Sequence, residues 1–167
     1  QDFDALRLKH IDVIDGLLSG EVHETTTDVV LEHLSRLEKL LDGVYLINEL
    51  SPKTTDKLLS FGELISSLII YEAMKSKGLN VQLKNSQYLI VTDSNFTNAT
   101  VNFEETNSNI TTYFESNQKM VTILPGFISK SEQDEITTLG RGGSDYTAAI
   151  VAAALNASIL QIWTDVS

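Results

Sequence analysis

Ile136-Thr137-Thr138-Leu139-Gly140-Arg141-Gly142-Gly143-Ser144-Asp145 runs into the alanine-rich segment Tyr146 to Leu155 and then the apolar run Ile159 to Trp163. That order predicts strand, glycine loop, helix and strand, a βαβ-like unit belonging to a mainly parallel α/β sheet with flanking helices. Upstream, Met120 to Leu124 reads as a buried strand closed by Pro125 and Gly126, and Ser129 to Glu135 as a polar loop. Val81 to Leu83 is a short strand candidate. The segment Asn85 to Asn117 is dense in Asn, Ser and Thr and reads as loop-rich, with a helix over Phe103 to Phe114.

Residues 1–78 read as helical, and 79–167 as the α/β region. Phe3, Leu6, Val13, Ile14, Leu17 and Leu18 return at helical spacing until Gly20 stops them. A second helix is expected from the Thr25 to Thr27 cluster, with Val30, Leu34, Leu37 and Leu41 inward and Asp42-Gly43 as its break. Ser51 and Pro52 read as the N-cap and first residue of a short helix to about Ser60. Glu63 to Lys77 then reads as a buried helix ended by Gly78.

The 167 residues suit one domain or part of a larger one. Hydrophobic residues make up 42% and charged residues 21%, ordinary globular usage that excludes a disordered or fibrous chain. Twelve basic against 23 acidic residues leave a net charge of −11, which opposes nucleic-acid and membrane-surface partners. With no cysteine there are no disulfides, thiol nucleophiles or cysteine metal sites, and a cytoplasmic location is expected. The start at Gln1 and the stop at Ser167 lead us to expect a piece of a longer protein.

A glycine-rich turn entering a helix lets backbone N–H groups approach an anion, and the helix N-terminus adds partial positive charge. Arg141 supplies a forked cation for a carboxylate or phosphate, and Asp145 an anion for an ammonium group or a metal-bound water. The residues alone leave a plainer reading open, in which Gly142 and Gly143 make a turn and Ser144 or Asp145 is an ordinary N-cap. Neither a Walker loop nor a complete G-x-G-x-x-G is present. His10, His23 and His33 are expected to face solvent, no metal site is expected, and Tyr146 and Trp163 read as packing residues. The N-x-[ST] sequons at Asn95, Asn98, Asn109 and Asn156 are what an Asn/Ser/Thr-rich stretch produces by chance.

The longer string Thr137-Thr138-Leu139-Gly140-Arg141-Gly142-Gly143-Ser144-Asp145-Tyr146-Thr147-Ala148-Ala149 closely resembles the signature of the aspartokinases, members of the amino-acid-kinase family. Ser60-Phe61-Gly62-Glu63-Leu64 resembles the family's S-x-G-E motif, and Trp163-Thr164-Asp165-Val166 resembles the start of its nucleotide motif. The wording is most similar to the subgroup fused to a homoserine dehydrogenase. The resemblance implies the amino-acid-kinase fold and transfer of phosphoryl from MgATP to the side-chain carboxylate of L-aspartate, toward lysine, methionine and threonine. It implies that Arg141 grips the substrate carboxylate, that Glu63 and Asp145 contact its amino end, and that Gly143 and Ser144 line the same subsite. Phe127 would pack on the substrate, and Thr164 and Asp165 would belong to the nucleotide side.

The family's Lys-Phe-Gly-Gly-Thr-Ser stretch is absent from these 167 residues, as are the rest of the ATP-binding half, the ACT domains and any dehydrogenase domain. The expectation is therefore a partial catalytic domain, inactive alone, from a parent that forms homo-oligomers. Competing readings are another amino-acid kinase and a non-catalytic amino-acid-binding module.

Overall fold

The computed structural model describes residues 2–117 and 121–163, which form two compact units. Residues up to Leu83, together with Val121–Ile123, make the first; residues 84–117 and 124–163 make the second.

Three helices dominate the first unit: α1 (Asp2–Leu17), α2 (Gly20–Ile47) and α3 (Pro52–Ser76). The stripe Phe61, Ile65, Ile69 and Ala73, one residue every four, lies buried on α3 against Ile14 and Leu18 and against Val30 and Leu34 of α2. Each fully buried Leu or Ile contributes about 1.5–3 kcal/mol relative to an exposed one. Ser51 caps α3 as expected, its hydroxyl accepting from the Thr54 N–H at 3.2 Å, with Pro52 opening the helix.

Two expected breaks are continuous helix. Gly43 and Gly62 sit where an added Cβ would meet nothing within 4 Å, so each costs only the roughly 1 kcal/mol of a mid-helix glycine. Gly20, at φ 63, turns the chain and opens α2 at once. The threonine cluster is absorbed into that helix, the Thr25 hydroxyl donating back to Glu21 O at 2.9 Å. The histidines also differ from expectation. His23 meets Asp15 across the α1–α2 corner at 2.6 Å, and His33 packs edge-on to Phe61 with ring centroids 6.2 Å apart. Burial, with Arg36 nearby, holds the His33 pKa below its ordinary value.

Gly78, at φ 79, ends the helical region. Strand β1 (Val81–Leu83) then pairs in parallel with β3 (Val121–Ile123), Val81 opposite Val121. β3 was expected to be buried, yet Val121 is 54% exposed. Met120 lies outside the described residues.

The second unit holds β2 (Val91–Thr92), α4 (Phe103–Glu115), β4 (Ile128–Ser131), β5 (Ile136–Thr138) and α5 (Gly143–Ala154). β4 is central, parallel to β2 and antiparallel to β5. Ile90, Ile110, Leu139 and Ile150 form the core beneath the two helices. The expected polar loop Ser129 to Glu135 is therefore partly strand. Its hydroxyls satisfy one another inside the sheet, Ser129 Oγ lying 2.9 Å from Thr137 Oγ1 and Thr137 Oγ1 2.7 Å from Thr92 Oγ1.

The mixed α/β class holds, but the expected βαβ unit does not close. Ile159 to Trp163 is not a strand: among the described residues no partner strand pairs with it, and Ile159 and Trp163 stand 73% and 86% exposed. Trp163 is thus no packing residue here, and Tyr146 is also exposed. Among the described residues no helix is long and apolar enough to cross a membrane.

Candidate functional site

The β4–β5 hairpin delivers the glycine loop. After Thr138, Gly140 (φ 74) and Gly142 (φ 75) take the left-handed conformation that glycine adopts without steric cost, and the Gly143 N–H donates to Gly140 O at 3.0 Å. Arg141 sits at the tip of this turn. It is exposed and carries no ion pair among the described residues.

α5 begins at Gly143, earlier than the sequence predicts, and its N-cap is Gly142 with no side-chain bond. The plainer reading of Ser144 or Asp145 as N-cap is thereby overturned: both occupy the first turn. The Tyr146 N–H is taken by Gly142 O at 3.0 Å, and among the described residues no acceptor takes the Ser144 and Asp145 N–H groups. Two free donors at a helix N-terminus, with the unpaired Arg141 in the turn just before it, are chemically suited to a carboxylate or phosphate oxygen.

Phe127 locks the loop from below. Its φ is 70, and the Ile128 N–H donates to Gly126 O at 2.8 Å, so Phe127 is the centre of a γ-turn in its rare strained form. Such strain costs on the order of 1–3 kcal/mol and must be held by neighbours. Here the Phe127 N–H donates to Thr147 Oγ1 at 3.0 Å, its carbonyl accepts from the Leu139 N–H at 2.9 Å, and the Thr147 hydroxyl donates to Gly143 O at 2.8 Å. The ring lies so close over Gly143 that an added Cβ would come 2.8 Å from Phe127 Cδ2. A Cβ on Gly126 would come 2.9 Å from the Ser144 Cα.

Phe127, Arg141, Gly143, Ser144 and Asp145 are thus brought together in the second unit. Phe127 is half-buried against the loop itself, a packing role that the sequence did not anticipate. Glu63 stands in the first unit on α3. It is half-buried without a side-chain partner among the described residues, and burial raises its pKa above the ordinary value. A carboxylate so placed is suited to an ammonium group, whose charge offsets the hydration that burial removes. Thr164 and Asp165 lie outside the described residues.

Sequence reasoning missed Gly126 and Thr147. Thr147 belongs to the quoted signature, but nothing in its neighbours announces a hydroxyl that bonds both Phe127 and Gly143. Among the described residues no group of three His, Cys, Asp or Glu side chains is placed to hold a metal. An apolar hollow of about 300 Å³ between α1 and α3, lined by Leu6, Val13 and Ile70 among others, contains no predicted site residue.

Residues 7–167 match the family model described as the amino acid kinase family. The lysine-sensitive aspartokinase 3 of Escherichia coli is 36% identical over 91% of this chain, which spans 38% of that protein. A bifunctional aspartokinase/homoserine dehydrogenase of Buchnera aphidicola is 30% identical over 90% of the chain, here only 18% of the relative's length. The crystal structure of E. coli aspartokinase III in complex with aspartate and ADP superposes with a TM-score of 0.91 at 30% identity, covering 98% of this chain and 36% of that one. The chain therefore spans well under half the length of these relatives, while the match covers almost all of its own. It belongs to the amino acid kinase family.

Proposed function

We propose that the protein carrying this chain is an aspartate kinase. It would transfer the γ-phosphoryl group of MgATP to the side-chain carboxylate of L-aspartate, giving 4-phospho-L-aspartate and ADP, the first step toward lysine, methionine and threonine. The observation that carries the reading is the unpaired Arg141 beside the free N–H groups of Ser144 and Asp145, on a turn locked by Phe127. The E. coli relative crystallised with aspartate and ADP supports it.

In this reading Arg141 pairs with the substrate carboxylate, assisted by Ser144 and the backbone around Gly143. Glu63 and Asp145 attract its ammonium group. Phe127 sets the height of the loop and contributes apolar surface. Thr164 and Asp165 belong to the nucleotide side. MgATP supplies the phosphoryl group and the metal charge that offsets its negative oxygens; the chain's own contribution is placement and charge neutralisation, which phosphoryl transfer chiefly requires. The 167 residues alone are proposed to be inactive, because no Lys-Phe-Gly-Gly-Thr-Ser stretch is among them. A homo-oligomeric, cytoplasmic parent, fused to a homoserine dehydrogenase, completes the proposal.

A panel assay tests it. With ATP, the full-length protein is expected to form a hydroxylamine-trappable acyl phosphate from L-aspartate and not from glutamate or acetylglutamate. Trapping from glutamate instead would place the protein with another amino-acid kinase. Aspartate binding without any turnover would leave the non-catalytic module.

A further inference from the structure

The segment between β2 and α4 is stitched shut and rests on the glycine loop. Asp93 Oδ1 accepts from the Asn95 N–H at 3.1 Å and from the Thr100 N–H at 2.9 Å, while the Asp93 N–H donates to Thr100 O at 2.9 Å. These bonds, the Thr100 N–H first among them, hold the Asp93 carboxyl below the ordinary aspartate range. Inside the closed loop Asn95 Nδ2 donates to Asn98 O at 3.1 Å, and Thr97 takes φ 72, an uncommon conformation for a β-branched residue. The outer side is tied to the hairpin turn by the Ser94 hydroxyl, which donates to Gln133 Oε1 at 2.6 Å.

The inner side meets the residues that precede Arg141. The Ala99 N–H donates to Thr138 O at 2.9 Å. Asn98 Oδ1 lies where a Cβ on Gly140 would be 2.6 Å away, with Thr97 O at 3.2 Å from the same point. Residues 97–99 therefore form the wall against which Gly140 turns.

We propose that Asp93 is a positioning residue for Arg141: by closing residues 94–100 against Thr138 and Gly140, it fixes the turn that presents the guanidinium to its anion. The kinetic half of its test rests on the aspartate kinase reading; the structural half does not.

Amide hydrogen exchange and steady-state kinetics on the full-length protein separate the two. In Asp93→Ala the Ala99 and Gly143 amides are expected to exchange about tenfold faster, with α3 amides unchanged, as loss of bonds to a charged acceptor dictates. KM for aspartate rises by about the same factor with KM for ATP unchanged, and Asp93→Asn, which keeps an acceptor oxygen in place, recovers most of both. Combined with Arg141→Ala, the Asp93 change adds no further rise in aspartate KM, because it acts through that side chain. Unchanged exchange in Asp93→Ala, or a full additional tenfold in the double variant, overturns the proposal. Should Asp93→Ala fail to fold, Asn98→Ala takes its place: it removes the carboxamide resting on Gly140, and faster Gly143 exchange supports the proposal while no change refutes it. A wild type inert toward aspartate, with exchange still accelerated in the variant, sinks the kinase reading and leaves the positioning role standing.

Discussion

Gly142 and Gly143 are adjacent and chemically identical, yet the structure requires glycine at each for a different reason, and alanine and asparagine substitutions separate the two. Gly142 has φ 75, and a Cβ there would meet nothing within 4 Å. Gly142→Ala therefore costs only the left-handed penalty, about 1–2 kcal/mol. Asparagine, which tolerates that conformation, recovers most of it. Gly143 has no positive φ, but its added Cβ would lie 2.8 Å from Phe127 Cδ2 and 3.2 Å from both Leu139 Cβ and Phe127 Cα. Two of those three neighbours belong to a residue pinned by the γ-turn and by Thr147, so they do not retreat. Overpacking of this kind costs about 1–3 kcal/mol, and asparagine gives no relief. Amide exchange in α5, at Thr147 and Ile150, reads the cost as local opening about 5- to 150-fold faster. Phe127→Ala in the Gly143→Ala background is expected to restore part of the loss, since it removes the nearest atom and leaves the backbone contact. Rescue by asparagine at 143 but not at 142 would refute the assignment of one glycine to conformation and the other to space.

Two further predictions concern the first unit. Burial raises the folded-state pKa of Glu63, so the stability linked to its protonation is fully present below its ordinary pKa near 4.5 and is lost as pH rises through the folded value. Glu63→Gln is therefore expected to raise the unfolding midpoint at pH 7.5 and leave it nearly unchanged at pH 4; a midpoint lowered at pH 7.5 contradicts the burial account. Ser51→Ala removes the hydroxyl that accepts from Thr54 and should cost about 1 kcal/mol, read as lower denaturant resistance of α3, with Ser51→Asp restoring it.

Local chemistry made part of the fold legible. The Ser51-Pro52 start, the Gly78 stop, the strand Val81–Leu83 and the helix over Phe103–Glu115 were readable because each is fixed by its own residues. Where tertiary context decides, reading along the chain failed. Gly43 and Gly62 resemble breaks, yet long packed helices tolerate glycine. Ser129 to Ser131 resemble loop residues, yet the Ser129 hydroxyl, paired with that of Thr137, sits satisfied in a buried strand. Ile159 to Trp163 has the pattern of a strand but no neighbour among the described residues. At the candidate site, the grouping of Arg141, Ser144 and Asp145 in one loop and helix start was legible from the motif string. The Thr147 relay to Phe127 and the seating of residues 97–99 on Thr138 and Gly140 were not, because each joins segments far apart in sequence.

The claim that this loop grips the carboxylate of an amino-acid substrate is tested most directly by comparing kcat/KM for L-aspartate between the full-length protein and its Arg141→Ala variant. Loss of a charge-assisted pair worth about 1.5–3 kcal/mol predicts a fall of roughly 10- to 150-fold, with KM for ATP unchanged. An Arg141→Ala protein that phosphorylates aspartate as efficiently as its parent would contradict the account.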